Sequence, residues 1–224
     1  MVHQTIPGVD FLNAGLRLPS DNNTTNSLTM QKTLSPNSTV QERKLLFDAS
    51  MLLIGNGRFL NATMQEIAFQ ARMSEATVAF IFENRTQLLA ELIDYTAGNI
   101  HDILDESTRL STRPYKERFF DLWTRLYNHY VSTPGLSAFL QQFDILSRNA
   151  GSLLVYPGYA PSLANFFKNA PSGLLDVSDA ETVAYLFHEN VLTAAQMRKR
   201  ATTRPESFNS HMPDMLWKYL AENN

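Results

Sequence analysis

The chain has 224 residues, of which 44% are hydrophobic, 11% aromatic and 18% charged, a composition typical of a globular protein with one large domain or two small ones. It has no cysteine, which excludes disulfides, thiolate zinc sites, iron–sulfur clusters and cysteine nucleophiles. The formal net charge is −3, so the overall charge does not indicate a nucleic-acid-binding protein, and any such function must rest on a local motif. Because no membrane span or signal peptide is apparent, we expect a soluble cytoplasmic protein with no membrane partner.

The first 37 residues differ from the rest in composition. Between positions 21 and 40, twelve of the twenty residues are Ser, Thr or Asn. Such a segment buries too little apolar surface to offset the entropy of ordering it. We therefore predict a flexible N-terminal extension over residues 1–37.

Capping signals and apolar periodicity predict helices along the rest of the chain. In the first half, the predicted caps are two capping boxes and two single residues: Thr39–Glu42, Thr63–Glu66, Ser74 and Asn84. In the second half, the predicted helix starts are Pro114, Pro134, Ser178–Glu181 and Pro213. Because strand-like alternation is absent, the sequence predicts an all-α fold.

The segment TMQEIAFQARMSEATVAFIFENRTQLL, Thr63 to Leu89, is the most informative part of the chain. It predicts two short helices, about 64–70 and 75–82, separated by a turn at 71–73. Residues that would let the inner faces of the two helices meet are Ile67, Ala68, Ala71, Met73 and Val78. This spacing is typical of a helix-turn-helix, whose second helix lies in the DNA major groove.

The order T-M-x-E-I-A, then M-S-x-A-T-V, then F and N-R-x-x-L-L resembles the DNA-binding region of the tetracycline-repressor (TetR) family over about residues 43–93. The resemblance implies an N-terminal helix-turn-helix domain of three helices, residues 38–84. It further implies a larger helical bundle, residues 85–224, that dimerises and holds an inducing ligand. The implied function is a ligand-responsive transcriptional regulator, mostly repressive in this family, that binds a palindromic operator on double-stranded DNA as a homodimer.

The resemblance also implies which residues contact DNA. Contacts to DNA phosphates fix the position of the protein without reading sequence. They are expected from side chains and backbone amides at the helix starts and from nearby basic residues: Arg43 or Lys44, Thr63, Arg72, Ser74, Thr77 and Arg85. Contacts to the edges of the DNA bases are expected from three residues on the outward face of the second helix of the motif: Glu75, Ala76 and Phe80.

Three positions of the motif depart from the family. Arg72 stands where the family often has glycine, Ala79 where it usually has a phosphate-binding tyrosine, and Ile81 where it usually has an aromatic or polar residue. Residues 41–100 contain five Lys or Arg against seven Asp or Glu, a net charge of −2. Since phosphate neutralisation normally supplies most of the affinity, we predict weak, salt-sensitive DNA binding. The alternative is a TetR-like protein whose DNA binding is weakened or lost, acting as a small-molecule or protein-binding module, with Phe80 packed against the extension or a partner.

In the predicted bundle, the helix over 179–198 and the terminal helix around Leu216 and Leu220 are the expected dimer surface. Four small residues would permit close approach of two such helices: Ala180, Ala184, Ala194 and Ala195.

A small hydrophobic or aromatic effector is expected in a pocket lined mainly by aromatic side chains. The candidates are Phe119, Trp123, Tyr127, Phe139, Gln142, Phe143, Phe166 and His188, and plain core packing remains the alternative for each. Phosphate-loop, metalloprotease and nucleophile-elbow motifs are absent, so we expect neither an enzyme nor a cofactor or metal site.

Overall fold

The computed structural model describes residues 36–58, 62–109, 112–149, 160–172, 179–200 and 206–221. Across these ranges the chain is helical and contains no β-strand, as predicted. The helices are α1 (Pro36–Leu53), α2 (Met64–Gln70), α3 (Glu75–Ile81), α4 (Arg85–Arg109), α5 (Tyr115–Ser132), α6 (Leu136–Asn149), α7 (Ala160–Lys168), α8 (Ala180–Arg200) and α9 (Glu206–Ala221). Residues 1–35, most of the predicted extension, lie outside the described ranges. None of the described helices is both long and apolar enough to cross a membrane.

One hydrophobic core joins α1–α3 to the later helices. Its centre is Phe119 on α5, whose ring packs edge-to-face at a centroid distance of 5.1 Å against Phe187 of α8 and at the same distance against Trp217 of α9. Towards the N-terminal end, the ring of Phe47 of α1 packs against Phe82, which follows α3, and against Tyr95 of α4. The ring-centroid distances are 5.8 Å to Phe82 and 5.0 Å to Tyr95. Burial of these large rings supplies much of the free energy that holds the helices together.

The backbone of α1 approaches the start of α6 closely. Gly135 precedes α6 with φ of +80°, and a Cβ atom built on it would lie 2.4 Å from the carbonyl oxygen of Met51 in α1. Only glycine combines a positive φ with so short a separation at little cost. This contact therefore ties the first helix to the bundle.

Two predicted helix starts are wrong. Thr39 lies inside α1, which begins at Pro36, because proline is pre-organised for the first helical position. The terminal helix begins at Glu206 and contains Pro213 as a buried interior residue. At the start of α8, Asp179 caps the helix through its Oδ1, which accepts hydrogen bonds from the amides of Glu181 and Thr182 at 3.1 and 3.2 Å. The predicted cap Ser178 lies outside the described residues.

Candidate nucleic-acid interface

The first helix of the motif, α2, begins with the predicted capping box. Thr63 Oγ1 accepts a hydrogen bond from the Glu66 amide at 3.1 Å, and Glu66 Oε2 accepts one from the Thr63 amide at 2.9 Å. The hydrogen bond from the Thr63 amide is the main cause that lowers the pKa of Glu66, and Arg58, whose Nη2 lies 3.1 Å from Glu66 Oε1, adds to it. The box fixes where α2 starts.

The turn between α2 and α3 depends on Arg72, which adopts a left-handed φ of +57°. Around it the amides of Ala71 and Met73 donate to the carbonyl oxygens of Ile67 and Ala68, both at 2.9 Å. These bonds end α2 and reverse the chain direction. The Arg72 side chain is exposed.

The second helix of the motif, α3, begins at the predicted cap. Ser74 Oγ accepts a hydrogen bond from the Thr77 amide at 3.0 Å. Val78 and Ile81 are buried against the core. The opposite face is exposed and consists of Glu75, Ala76, Ala79 and Phe80, and the exposed Glu83 follows the end of the helix. The three predicted base-reading residues therefore lie on the exposed face, and Phe80 is 70% exposed.

Arg43, one of two basic residues of α1 expected to bind phosphate, is half-buried and contacts other helices of the domain. Its Nη1 is paired with Glu91 of α4, its Nη2 donates to the carbonyl oxygen of Ile81 at 3.4 Å, and its guanidinium lies 4.9 Å from the ring centroid of Phe82. These contacts hold α1, the end of α3 and α4 together. Its neighbour Lys44 is exposed, with Nζ 3.5 Å from Asp48 Oδ2.

Sequence reasoning missed two exposed residues of α2, Phe69 and Gln65. Phe69 of α2 is 84% exposed; the apolar pattern places Ile67 and Ala68 inward, and the 100° rotation per residue then carries Phe69 outward. Gln65 of α2 donates through Nε2 to Glu75 Oε1 of α3 at 2.8 Å. No spacing rule foretells this bond, because its partners are ten residues apart on different helices.

The described candidates for effector binding lie in three settings in the bundle. Phe119 and Phe166 are enclosed by neighbouring rings of the core. The ring of Trp123 stacks on that of Tyr127 at a centroid distance of 5.1 Å. Trp123 Nε1 donates a hydrogen bond to Asn190 Oδ1 of α8 at 2.9 Å. The remaining described members are two buried residues and one half-buried residue: Phe139, His188 and Gln142. The side chain of Phe143 lies outside the described residues.

The small residues expected at the dimer surface are packed inside the protomer. Ala194 and Ala195 have no exposed surface, and Ala180 and Ala184 are also buried. Leu216 and Leu220 of α9 are buried as well. These six residues are therefore not a dimer contact, because α8 uses its alanine face to pack closely against helices of its own chain. The large exposed apolar side chains of α8 and α9 are instead Leu186, Met197, Met215 and Tyr219.

No protein-family model matches the chain, and no curated protein matches it significantly. Its fold matches many solved structures. A TetR-family transcription regulator from Marinobacter aquaeolei VT8 aligns with a TM-score of 0.66 and 18% identity, over 84% of this chain and 99% of that one. The fatty acid degradation regulator FadR from Bacillus halodurans aligns with a TM-score of 0.63 and 15% identity, over 83% of this chain and 97% of that one. A TetR-family regulator from Haemophilus influenzae RD aligns with a TM-score of 0.59 and 16% identity, over 82% of this chain and 98% of that one. The chain has the fold of TetR-family transcriptional regulators, as its motif implied.

Proposed function

We propose that the chain is a ligand-responsive transcriptional regulator, acting as a repressor, that binds a palindromic operator as a homodimer. The observation that carries the proposal is the exposed outer face of α3, set by a helix-turn-helix whose inner residues are buried. Base reading is assigned to Glu75, Ala76 and Phe80. A carboxylate accepts from the amino group of cytosine, and apolar side chains contact thymine methyl groups.

The charges around α3 limit the affinity of this surface. From Ser74 to Asn84 there are two acidic residues and no basic residue, and the charge of the half-buried Arg43 is paired with Glu91. We assign the phosphate contacts to Lys44 and Arg72, to the hydroxyls of Thr63, Ser74 and Thr77, and to Arg85 at the start of α4. With so few cations the electrostatic part of binding is small, and moderate salt removes it.

Binding to the DNA upstream of the protein's own gene tests the proposal. Fluorescence anisotropy with that duplex and with a shuffled duplex, from about 20 to 200 mM salt, should show preferential, weak binding that is lost at the upper end. Tight binding undiminished at high salt would contradict the charge argument. Equal binding of both duplexes would contradict operator recognition.

The neighbouring basic residues Arg43 and Lys44 provide a matched pair of variants. Lys44→Met should reduce the slope of log K against log salt by about 1.8, the loss of one phosphate contact in each protomer of the dimer, and leave stability nearly unchanged. Arg43→Met should leave that slope unchanged but lower the free energy of unfolding by about 1–2 kcal/mol, because it removes charge-assisted hydrogen bonds between three helices. Urea denaturation measures the stability, and a reversal of the two behaviours would assign the phosphate contact to Arg43.

The homodimer is assigned to the outer faces of α8 and α9. Leu186 and Met197 lie eleven residues apart, so they share one side of α8. Met215 and Tyr219 lie one turn apart on α9 and are 69% and 62% exposed. Apolar side chains exposed on two helices that pack against each other are typical of a surface that a second copy covers.

The effector site is assigned to the bundle of residues 85–224, beside the Trp123–Tyr127 stack. Tyr127 is half-buried and His188 is buried against Tyr130 at a ring distance of 5.7 Å, so rings and polar atoms lie side by side in the interior. Such a setting suits a small hydrophobic or aromatic molecule. A compound that both raises the melting temperature of the protein and releases it from DNA would support the assignment, and a release without binding to the protein would contradict it.

A second function, a TetR-like module with weakened or lost DNA binding, is favoured by the same acidic and apolar α3. Under this function, Phe80 and the other exposed side chains of α3 meet a protein partner. Absence of binding to any duplex at 20 mM salt, with the protein folded and dimeric, would select it.

A further inference from the structure

Gln65 and Glu75 connect the starts of the two helices of the motif. Gln65 is the second residue of α2 and Glu75 is the first residue of α3, and Gln65 Nε2 lies 2.8 Å from Glu75 Oε1. Both side chains are exposed, on the side of the motif where α3 begins. An amide donor bound to one carboxylate oxygen restricts the rotamers of Glu75 and leaves Oε2 as an acceptor.

A held carboxylate distinguishes the four bases by their edges in the major groove. Cytosine presents the N4 amino group, a donor, whereas guanine presents the N7 and O6 acceptors, which repel a carboxylate. Adenine presents the N6 amino group next to the N7 acceptor, so its donor is accompanied by repulsion. Cytosine is therefore the best match for Glu75.

We propose that Gln65 is a specificity-determining positioning residue, which holds Glu75 so that its carboxylate accepts from a cytosine amino group in each half-site. The inference rests on the proposed DNA-binding function and adds to it the residue that positions the base-reading carboxylate. Without the Gln65 amide, the Glu75 side chain samples several rotamers and loses entropy on binding DNA. The preference for cytosine then weakens, although the contacts to phosphate remain.

Selection from a library of randomised duplexes at low salt tests the proposal with the full chain. The variants are Gln65→Leu, which keeps the volume and removes the amide, and Glu75→Gln. Gln70→Leu is the matched control, since Gln70 is an exposed glutamine of the same helix. Wild type and the control should enrich the same motif, with cytosine at a fixed position of each half-site.

Gln65→Leu should enrich that motif with the cytosine preference reduced at least about threefold, and Glu75→Gln should move the preference towards adenine, the base that an amide pairs with. A Gln65→Leu protein with an unchanged cytosine preference overturns the positioning role and leaves the regulator function intact. A wild type that enriches no sequence overturns the regulator function and this inference with it.

A measurement without DNA tests the same contact. In the free protein, the side-chain amide protons of Gln65 should exchange with solvent more slowly than those of Gln70, and the Glu75→Gln variant should reduce that difference. Equal exchange rates for the two glutamines in the wild type would overturn the pairing, whatever the outcome of the selection.

Discussion

At the scale of single residues, Arg72 is subject to two opposing requirements. Its backbone has a φ of +57°, a conformation in which a side chain costs about 1 kcal/mol. Its exposed guanidinium is one of the few cations available to a phosphate in the proposed interface. Glycine would suit the backbone and remove the charge.

Arg72→Gly should therefore raise the free energy of unfolding by about 0.5–1 kcal/mol and lower DNA affinity at low salt. Arg72→Ala is the control, since it removes the charge and retains a Cβ atom at a positive φ. We expect Arg72→Ala to match Arg72→Gly in affinity and to lack the gain in stability, as measured by urea denaturation and anisotropy. A stabilised Arg72→Ala would show that the side chain, and not the backbone, carries the cost.

At the scale of elements, the contact between α1 and the start of α6 joins the first helix to the bundle through Gly135. A methyl group on Gly135 would lie 2.4 Å from the carbonyl oxygen of Met51 and 2.7 Å from the Leu52 amide nitrogen. Since these are backbone atoms, they cannot move aside without displacing α1. The position of α1 relative to α6 therefore depends on this glycine.

Gly135→Ala should lower the free energy of unfolding by about 2–3 kcal/mol, because it adds an overlap to a strained φ of +80°. Gly98→Ala is the matched control: Gly98 is a helical glycine of α4 with no atom within 4 Å of an added Cβ, so alanine should stabilise the protein by about 0.5–1 kcal/mol. Thermal and urea denaturation of both variants measure the difference. A Gly135→Ala variant as stable as wild type would mean that α1 and α6 can separate freely.

At the scale of the whole molecule, the proposed homodimer rests on the exposed apolar side chains of α8 and α9. Sedimentation of the wild type at micromolar concentration should give a mass twice that of the 25.4 kDa chain. Met215→Asp with Tyr219→Asp should give single chains, because paired carboxylates at a buried dimer surface cost several kcal/mol.

Phe69→Ser is the control for the dimer prediction, since Phe69 is a large exposed apolar residue on α2, within the helix-turn-helix and not on α8 or α9. It should leave the protein dimeric. Dissociation by Phe69→Ser instead would move the dimer surface to the helix-turn-helix, and a monomeric wild type would contradict the dimer altogether.

Much of the helical order was determined by the sequence alone. The capping box at Thr63 and the cap at Ser74 are both present in the structure as the local sequence indicated. Each depends on contacts between residues at most five positions apart. Local sequence therefore suffices for the positions at which α2 and α3 begin.

Only the tertiary structure decided which side chains remain available at the surface. Arg43 and Lys44 are adjacent bases on the same helix, yet Glu91 and the Ile81 carbonyl oxygen, 48 and 38 residues away, take Arg43 into the domain. Likewise, the alanines of α8 have the composition of a dimer contact, but the protomer's own core covers them. Helical periodicity shows which side chains share a face, whereas the partner that covers that face comes from distant parts of the chain.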